Sequence, residues 1–344
     1  MADFCSALYL GMRHSARMLP DWPRLTLGKP AALQEPDGAL ELASELAALQ
    51  SCEAALLMPT TLHLFWDLFR MLAADAARRV LLVDSGAYPI ARWGAQQAVA
   101  MGVPLQVFAH GDAEVAARLA QSWGRRGRRP VLLADGYCPG ASRAPPLAEY
   151  ARIAQLHGGC LVLDDTQVLG VSGVAGGGSL SAHGISDAEV LIGASLAKGF
   201  GTPLAVLAGS LGAMERMAAT SLTRRHCSPP SMAAIAAGRN ALRINRACGD
   251  SLRARLARRV AQLRDELAGR GVACSGGAFP VQTVHLPARA KLEQVHAALA
   301  GEDVHAVAQP SAGGGALSFL LRADHGEQDV SHAAAALRRQ LDLI

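Results

Sequence analysis

The fold is decided by the stretch Cys160-Leu-Val-Leu-Asp-Asp-Thr-Gln167, an apolar run of strand length that ends in two adjacent carboxylates. A second stretch, Ser195-Leu-Ala-Lys-Gly-Phe-Gly201, follows another apolar run and carries a lysine at the corresponding place. Parallel sheets hold their ligands at the carboxyl ends of the strands. We therefore expect Asp164 and Lys198 to face one cleft, whereas Asp165 either faces it too or caps the next turn.

Along the chain, apolar runs suited to buried strands alternate with segments of helical periodicity, which is typical of a mainly parallel sheet covered on both faces. Hydrophobic residues make up 51% of the chain and aromatic residues only 4%, so Ala, Leu and Val must fill the interior. This composition suits helices packed on a parallel sheet. The predicted strands are Val80–Val83, Leu105–Ala109, Val131–Ala134, Cys160–Leu163, Val190–Ile192 and Leu204–Leu207.

The chain of 344 residues is long enough for one large and one smaller domain. We expect an N-terminal segment, residues 1–37, that packs with the small domain, a large domain over residues 38–246 and a small C-terminal domain over residues 247–344. Two helices are predicted before the C-terminal part, over residues 38–50 and 231–268. Strands near Val281–Leu286 and Leu317–Leu321, a helix over residues 290–300 and a last helix from Val330 would form an α+β unit.

Charge and cysteine usage exclude several classes of protein. The net charge of +4 comes largely from arginines after a predicted helix, without the interleaved aromatics of a nucleic-acid surface. Seven scattered cysteines without a CxxC motif indicate reduced thiols and no metal site. No signal pattern or membrane-length apolar run is seen, so a cytoplasmic protein is expected. No G-x-G-x-x-G follows the first strand, which disfavours an NAD-binding Rossmann protein.

A strand-end aspartate followed some thirty residues later by a strand-end lysine is what pyridoxal phosphate requires. The amine of Lys198 would form an imine with the cofactor, and the carboxylate of Asp164 would keep the pyridine nitrogen protonated. Each motif alone is only suggestive, because an isolated Lys-Gly-Phe-Gly is more typical of a solvated lysine in a turn, and one of the two aspartates, Asp165, could cap the next turn. Together they predict a pyridoxal-phosphate site.

With these two motifs, the chain resembles the fold-type I pyridoxal-phosphate enzymes, a superfamily that includes the class I and II aminotransferases. It is most similar to the α-oxoamine synthases, the family of 8-amino-7-oxononanoate synthase and 5-aminolevulinate synthase. The resemblance spans nearly the whole chain and implies a mainly parallel, seven-stranded sheet plus a smaller α+β domain. Its segments are Tyr9–Gly11, Glu53–Leu57, Pro146–Glu149, Asp164–Gln167, Ala197–Gly201, Cys227–Pro230 and His325–Val330.

The resemblance assigns four side chains to the cofactor ring in addition to the lysine. Asp164 pairs with the pyridine nitrogen, and Gln167 stands where the family has a histidine near the ring hydroxyl. Tyr88 matches the family's stacking histidine, and an aromatic ring there is typical of aminotransferases. Asp135 is placed in the cofactor site at the end of the preceding strand.

The phosphate group is expected at the start of a helix after Pro59. Thr60, Thr61 and Leu62 would open that helix, where hydroxyl and N–H groups suit an anion, although a threonine N-cap explains the pattern equally well. The resemblance adds Ser195. It also implies a homodimer in which the second subunit reaches the phosphate with His226 or Ser228, a choice that stays open.

The substrate end departs from the family pattern. The asparagine and the arginine that hold the substrate carboxylate in the family are replaced by Ala7 and Ser318. Arg322 is predicted on the same strand and the same face as Ser318, so it is a candidate substitute anchor. Recognition of the amino substrate is therefore expected to differ from that of the family.

The predicted function is a pyridoxal-phosphate transferase that acts on an amino acid or amine. Lys198, Asp164 and Tyr88 are its candidate catalytic residues. We expect condensation with an acyl thioester, carried by coenzyme A or by acyl-carrier protein, and an aminotransferase is the alternative. A lyase, decarboxylase or racemase on the same scaffold and a non-catalytic partner subunit are further alternatives.

Overall fold

The structure of the protein is a computed structural model that describes residues 2–19, 24–141, 143–186, 189–269, 272–311 and 314–343. The chain divides into two compact units. The larger unit comprises residues 13–138 and 143–247, and the smaller comprises residues 1–12, 139–142 and 248–344. The predicted division after residues 37 and 246 remains a prediction.

A seven-stranded sheet forms the centre of the larger unit, in the order β2-β8-β7-β6-β5-β3-β4. Neighbouring strands from β7 to β4 are parallel, and only β8 runs antiparallel to both of its neighbours, β7 and β2. The expected mainly parallel sheet is confirmed. Its strands are β2 (Ala54–Met58), β3 (Arg79–Asp84), β4 (Leu105–Phe108), β5 (Arg129–Asp135), β6 (Cys160–Asp164), β7 (Val190–Ser195) and β8 (Ala205–Gly209).

Helices cover both faces of this sheet and enclose two apolar cores. One core joins the sheet to α2, α3 and α7, and the other joins it to α4, α5 and α6. These helices form because each buries a stripe of apolar residues at helical spacing. The helices of this unit are α1 (Ala39–Leu49), α2 (Thr61–Ala73), α3 (Pro89–Ala100), α4 (Ala113–Gly124), α5 (Leu147–Leu156), α6 (Ser179–His183), α7 (Leu211–Thr220) and α8 (Thr223–His226), with 3₁₀ turns at Ala16–Met18, Ala76–Arg78 and Val174–Gly176.

The smaller unit contains an antiparallel sheet in the order β11-β12-β9 and a parallel pair of β1 with β10. The boundary between the units falls within α9 (Met232–Ala268), which is continuous as expected. The remaining elements are β1 (Ala2–Asp3), β9 (Val281–Leu286), α10 (Arg289–Gly301), β10 (Val304–His305), β11 (Val307–Ser311), β12 (Gly314–Leu320) and α11 (Glu327–Leu341).

Two of the predicted elements differ from the structure. β2 was not predicted as a strand; it lies at a sheet edge, and only its last two residues are buried. The last helix begins at Glu327 rather than Val330, because the Asp329 carboxylate accepts the N–H of Gly326 at 3.0 Å and caps an earlier start. Within the described parts of the chain, no helix has the length and apolarity needed to cross a membrane.

Candidate active site

Four neighbouring strands of the parallel sheet end in polar residues. β3, β5, β6 and β7 lie side by side, and their last residues are Asp84, Asp135, Asp164 and Ser195. Asp135 and Asp164 are partners in the ladder between β5 and β6. The sheet therefore brings the predicted site residues of three strands together at the carboxyl ends of the strands, where sheets of this type bind ligands.

Asp164 is 5% exposed and lies where β6 ends. Its Oδ1 accepts the N–H of Thr166 at 3.0 Å, and the Thr166 hydroxyl accepts the N–H of Ser195 at 3.0 Å. Burial raises the pKa of Asp164 above its ordinary value, while the bonds from Thr166 and the charge of Lys198 act in the opposite direction. Thr166 thus connects Asp164 to the strand that leads to the lysine.

The sequence pattern alone did not predict a role for Thr166, although Thr166 follows the two strand-end aspartates directly. Its hydroxyl bonds to a residue 29 positions away, and this contact follows from the register of β6 and β7. The pattern of a strand followed by Asp-Asp-Thr was the available signal, because a hydroxyl two residues after a strand-end aspartate can bridge to the next strand.

Lys198 follows β7 in a tight turn and is half-buried. The Ser195 hydroxyl accepts the N–H of Ala197 at 3.3 Å, and the backbone after the lysine packs so closely that a side-chain carbon at Gly199 would lie 2.3 Å from the carbonyl oxygen of Leu169. Burial lowers the pKa of Lys198, and the charges of Asp164 and Asp135 partly offset this shift. The structure therefore places the amine within electrostatic reach of both carboxylates.

Asp165 turns away from these strand ends. It is fully buried, and its carboxylate accepts hydrogen bonds from the N–H of Ser179, at 2.9 Å, and from the Ser179 hydroxyl. Burial raises its pKa to about 6. Of the two open interpretations of Asp165, the structure favours the capping one, because the carboxylate binds the first residue of α6.

Tyr88 ends the short turn between β3 and α3, and its side chain is 57% exposed. Its backbone N–H donates to both oxygens of the Asp135 carboxylate, at 3.0 and 3.2 Å. Asp84 supports the start of the same turn, since its Oδ1 accepts the N–H of Gly86 at 2.7 Å. The other Asp84 oxygen accepts the hydroxyl of Tyr150 at 2.7 Å, which anchors the turn in the core.

The predicted phosphate residues lie at three places in the larger unit: the start of α2, the end of α8 and, for Ser195, the end of β7. Thr60 is the N-cap of α2, where its hydroxyl accepts the N–H of His63 at 3.4 Å, and Thr61 and Leu62 begin the helix. His226 ends α8, Ser228 follows it, and both are exposed. Gln167 is half-buried and immediately follows Thr166 in the turn after β6.

The candidate substrate anchors belong to the smaller unit. Ala7 is half-buried, and Ser318 is buried on β12 with its hydroxyl 2.8 Å from that of Thr283. The prediction that Arg322 shares a strand with Ser318 is wrong: β12 ends at Leu320, and the N–H of Arg322 turns to bond His325.

The guanidinium group of Arg322 is engaged within the smaller unit. It donates to the carboxylate of Asp3 at 3.1 Å and to that of Asp324 at 2.9 Å. It also donates to the backbone carbonyl of Asp3 at 3.1 Å. The buried arginine is thus shared between two carboxylates of its own unit.

The residues at the carboxyl ends of these strands fit pyridoxal phosphate. Lys198 has a lowered pKa, so more of its amine is neutral and able to form an imine than in an ordinary lysine. Asp164 is a buried carboxylate whose charge a protonated ring nitrogen would stabilise. The first N–H groups of α2, beside Thr60, have no partner within the helix and suit the phosphate.

Comparison with known proteins supports the same assignment. The sequence pattern of the family "Aminotransferase class I and II" matches residues 24–337. The chain is 30% identical over 314 residues to the 8-amino-7-oxononanoate synthase of Thioalkalivibrio sulfidiphilus, an alignment that covers 88% of this chain and 76% of that protein.

Two solved structures share the fold. Serine palmitoyltransferase of Sphingomonas wittichii is 16% identical, with a TM-score of 0.86 over 99% of this chain and 87% of that one. The 8-amino-7-oxononanoate synthase of Francisella tularensis is 15% identical, with a TM-score of 0.79 over 99% and 97% of the two chains. The chain therefore belongs to the class I and II aminotransferase family and is a pyridoxal-phosphate-dependent transferase of the α-oxoamine synthase type.

Proposed function

We propose that this chain condenses an amino acid with an acyl thioester, with a substrate recognition that differs from that of its relatives. The observation that carries the proposal is that two buried carboxylates, Asp164 and Asp135, end adjacent strands and that the charges of both act on the pKa of the half-buried Lys198. The printed name of the Thioalkalivibrio relative supports the reaction class. An acyl group carried by coenzyme A or acyl-carrier protein is the proposed second substrate.

Each site residue has a defined task in this proposal. When bound, pyridoxal phosphate supplies an electron sink for the negative charge that develops at the substrate α-carbon. Asp164 would hold the proton on the ring nitrogen, and Gln167 would donate to the ring hydroxyl. Lys198 would bind the cofactor and move a proton at the substrate α-carbon. Tyr88 would stack on the ring, and the phosphate would be held by Thr60, Thr61, Leu62 and Ser195.

Altered recognition is proposed because both expected carboxylate anchors are missing. Ala7 has no polar side chain, and the Ser318 hydroxyl is already bonded to Thr283. The Arg322 guanidinium is neutralised by Asp3 and Asp324, so a substrate carboxylate would have to compete with two carboxylates of the protein. This favours an amino substrate whose recognition rests on other groups.

Amino-group transfer is the second candidate function. Tyr88 and Gln167 favour it, since an aromatic ring and an amide at these two positions are typical of aminotransferases. The two candidates share Lys198 and Asp164. They differ in whether the substrate amino group stays on the cofactor or leaves with the product.

We further propose a cytoplasmic homodimer. Large apolar side chains are exposed on neighbouring helices of the larger unit: Leu62 and Trp66 on α2 and Trp93 on α3. A second copy of the chain would cover them. In this dimer His226 or Ser228 reaches the phosphate bound by the partner subunit.

The test uses the fact that the chain has three lysines, Lys29, Lys198 and Lys291. The purified protein with pyridoxal phosphate should show a visible absorbance band that borohydride removes, and peptide mapping should find the reduced cofactor on Lys198. Lys198→Ala should abolish the band, and Lys291→Ala should retain it. A wild-type protein without a reducible band would overturn the proposal, as the non-catalytic alternative predicts.

A panel of amino acids then separates the reactions. Condensation predicts release of the thiol from an acyl-CoA or acyl-carrier-protein thioester only when an amino acid is present. Transfer of the amino group predicts conversion of the cofactor to its amine form by the amino acid alone. Carbon dioxide release or racemisation without a thioester would assign a decarboxylase or a racemase instead.

A further inference from the structure

The turn that carries Tyr88 is fixed by its backbone. Pro89, the first residue of α3, has no N–H group, so the N–H of Tyr88 is the last donor before the helix. Both oxygens of Asp135 lie within hydrogen-bond distance of this one N–H, at 3.0 and 3.2 Å. The contact spans 47 positions of sequence and joins the ends of β5 and β3, which are neighbours in the sheet.

Asp135 is enclosed by charged and polar groups. It is 6% exposed and faces Asp164 across the ladder, with Asp84 on its other side. Burial and these two carboxylates raise the pKa of Asp135, whereas the N–H of Tyr88 and the charge of Lys198 lower it. Burial of a carboxylate beside two others costs free energy unless its oxygens accept hydrogen bonds. The N–H of Tyr88 provides such a hydrogen bond to Asp135.

The Tyr88 side chain, in contrast, is mostly exposed within the chain. A ring that must lie against a cofactor loses conformational freedom on binding unless its backbone is already held in place. The hydrogen bonds from its N–H to Asp135 fix the backbone of Tyr88. The hydrogen bond from the Gly86 N–H to Asp84 fixes the start of the same turn.

We propose that Asp135 is a positioning residue that fixes the backbone of Tyr88 and thereby presents its ring to the cofactor, instead of binding the cofactor itself. This inference rests on the proposed function, because it assumes that Tyr88 contacts pyridoxal phosphate. It replaces the expectation that Asp135 is a cofactor ligand. Asp135 acts through Tyr88, so its effect must disappear when the ring is absent.

A double-mutant cycle tests this dependence. We expect Asp135→Ala to raise the dissociation constant for pyridoxal phosphate about tenfold in the wild-type background. In the Tyr88→Ala background, the same substitution should raise the dissociation constant less than twofold. Asp135→Asn keeps one oxygen that can accept the N–H and should lose less than Asp135→Ala. An equal loss in both backgrounds would overturn the proposal, as would an unchanged affinity in the Asp135→Ala protein.

Hydrogen exchange provides a readout that needs no cofactor. The Tyr88 amide of the full chain should exchange about ten- to a hundredfold faster in Asp135→Ala, because its acceptor is lost. Asp112→Ala is the matched control: Asp112 accepts the N–H of Val115 at 3.0 Å at the start of α4, and its loss should leave the Tyr88 amide unchanged. Equal protection of Tyr88 in wild type and Asp135→Ala would contradict the inference.

Two further measures keep the outcomes separable. If Asp135→Ala does not fold, the cycle is carried out with Asp135→Asn, for which the same loss of coupling in Tyr88→Ala is expected and additive losses overturn the inference. The proposed function is judged on wild type alone, by the borohydride-sensitive band. A wild-type band together with additive losses would therefore refute the role of Asp135 and leave the proposed function standing.

Discussion

Asp164 and Asp165 are adjacent in the chain, yet their carboxylates serve different purposes. Asp164 lies at the sheet edge with Lys198, and Asp165 is locked against Ser179 inside the unit. The alternation of side chains along an extended segment accounts for this separation. A doublet of aspartates at a strand end thus provides one residue for the site and one for the support of the next helix.

Asp165 should make stability depend on pH. Its pKa is about 6 in the folded chain against an ordinary value of 3.8, so folding is favoured most when the group is protonated. This contribution is complete below about pH 4 and is lost as the pH rises to 6, about 3 kcal/mol in all. Urea unfolding between pH 4 and 7 should show this loss in wild type and not in Asp165→Asn. Parallel pH profiles of the two proteins would contradict it.

At the residue scale, the sequence predicted Lys198 and Asp164, because strand-end positions can be read from apolar runs. The environment of Asp135 was not predictable, and for the bridge through Thr166 the Asp-Asp-Thr pattern indicated a hydroxyl after the strand but not its partner, Ser195. Both depend on which residues of neighbouring strands stand opposite each other, and one sequence does not give this register. The engagement of Arg322 by Asp3, 319 positions away, was hidden for the same reason.

At the scale of the elements, α2 and α3 pack closely, and Gly94 permits the approach. A side-chain carbon at Gly94 would lie 2.7 Å from the carbonyl oxygen of Phe65, a backbone atom that cannot move without moving α2.

The positions of most strands and long helices were predicted, because their apolar periodicity is strong. The edge strand β2 was missed, since its first three residues are only half-buried.

Gly94→Ala should destabilise the protein, although alanine is the better helix former by about 1 kcal/mol. Because the clash is with a backbone atom, we expect overpacking to cost the upper part of the usual range, about 2–3 kcal/mol, which leaves a net loss of about 1–2 kcal/mol in the free energy of unfolding. Gly212→Ala is the control: its nearest neighbour would be the Arg216 guanidinium at 3.7 Å, and it should leave stability equal or slightly higher. Urea unfolding measures both, and a stabilised Gly94→Ala would refute the steric argument.

At the scale of the whole molecule, the larger unit contains every residue assigned to the cofactor, and the smaller unit contains the candidate substrate anchors. This distribution follows the sequence: the segments of the larger unit match the family at the cofactor positions, whereas the substrate positions of the smaller unit depart from it.

A charged substitution on the exposed surface of α2 tests the proposed dimer. Trp66→Arg places a cation among Leu62 and Trp93 and should convert the protein to a monomer of 35.8 kDa in light scattering. Leu156→Arg is the control, because Leu156 is more exposed, at 69%, but lies on α5, over the other face of the sheet. A wild-type protein that is already monomeric, or a dimer that tolerates Trp66→Arg, would refute the assignment of this surface.

The scarcity of lysine has a consequence for chemical selectivity. Aldehydes react with any neutral amine, so a lysine-rich surface competes with the intended site for the carbonyl compound. This chain obtains nearly all of its positive charge from arginine, and the burial of Lys198 keeps more of its amine in the nucleophilic form. Reactive carbonyls, both cofactors and covalent inhibitors, should therefore modify Lys198 in preference to Lys29 and Lys291, which makes Lys198 suitable for activity-based labelling in a mixture of proteins.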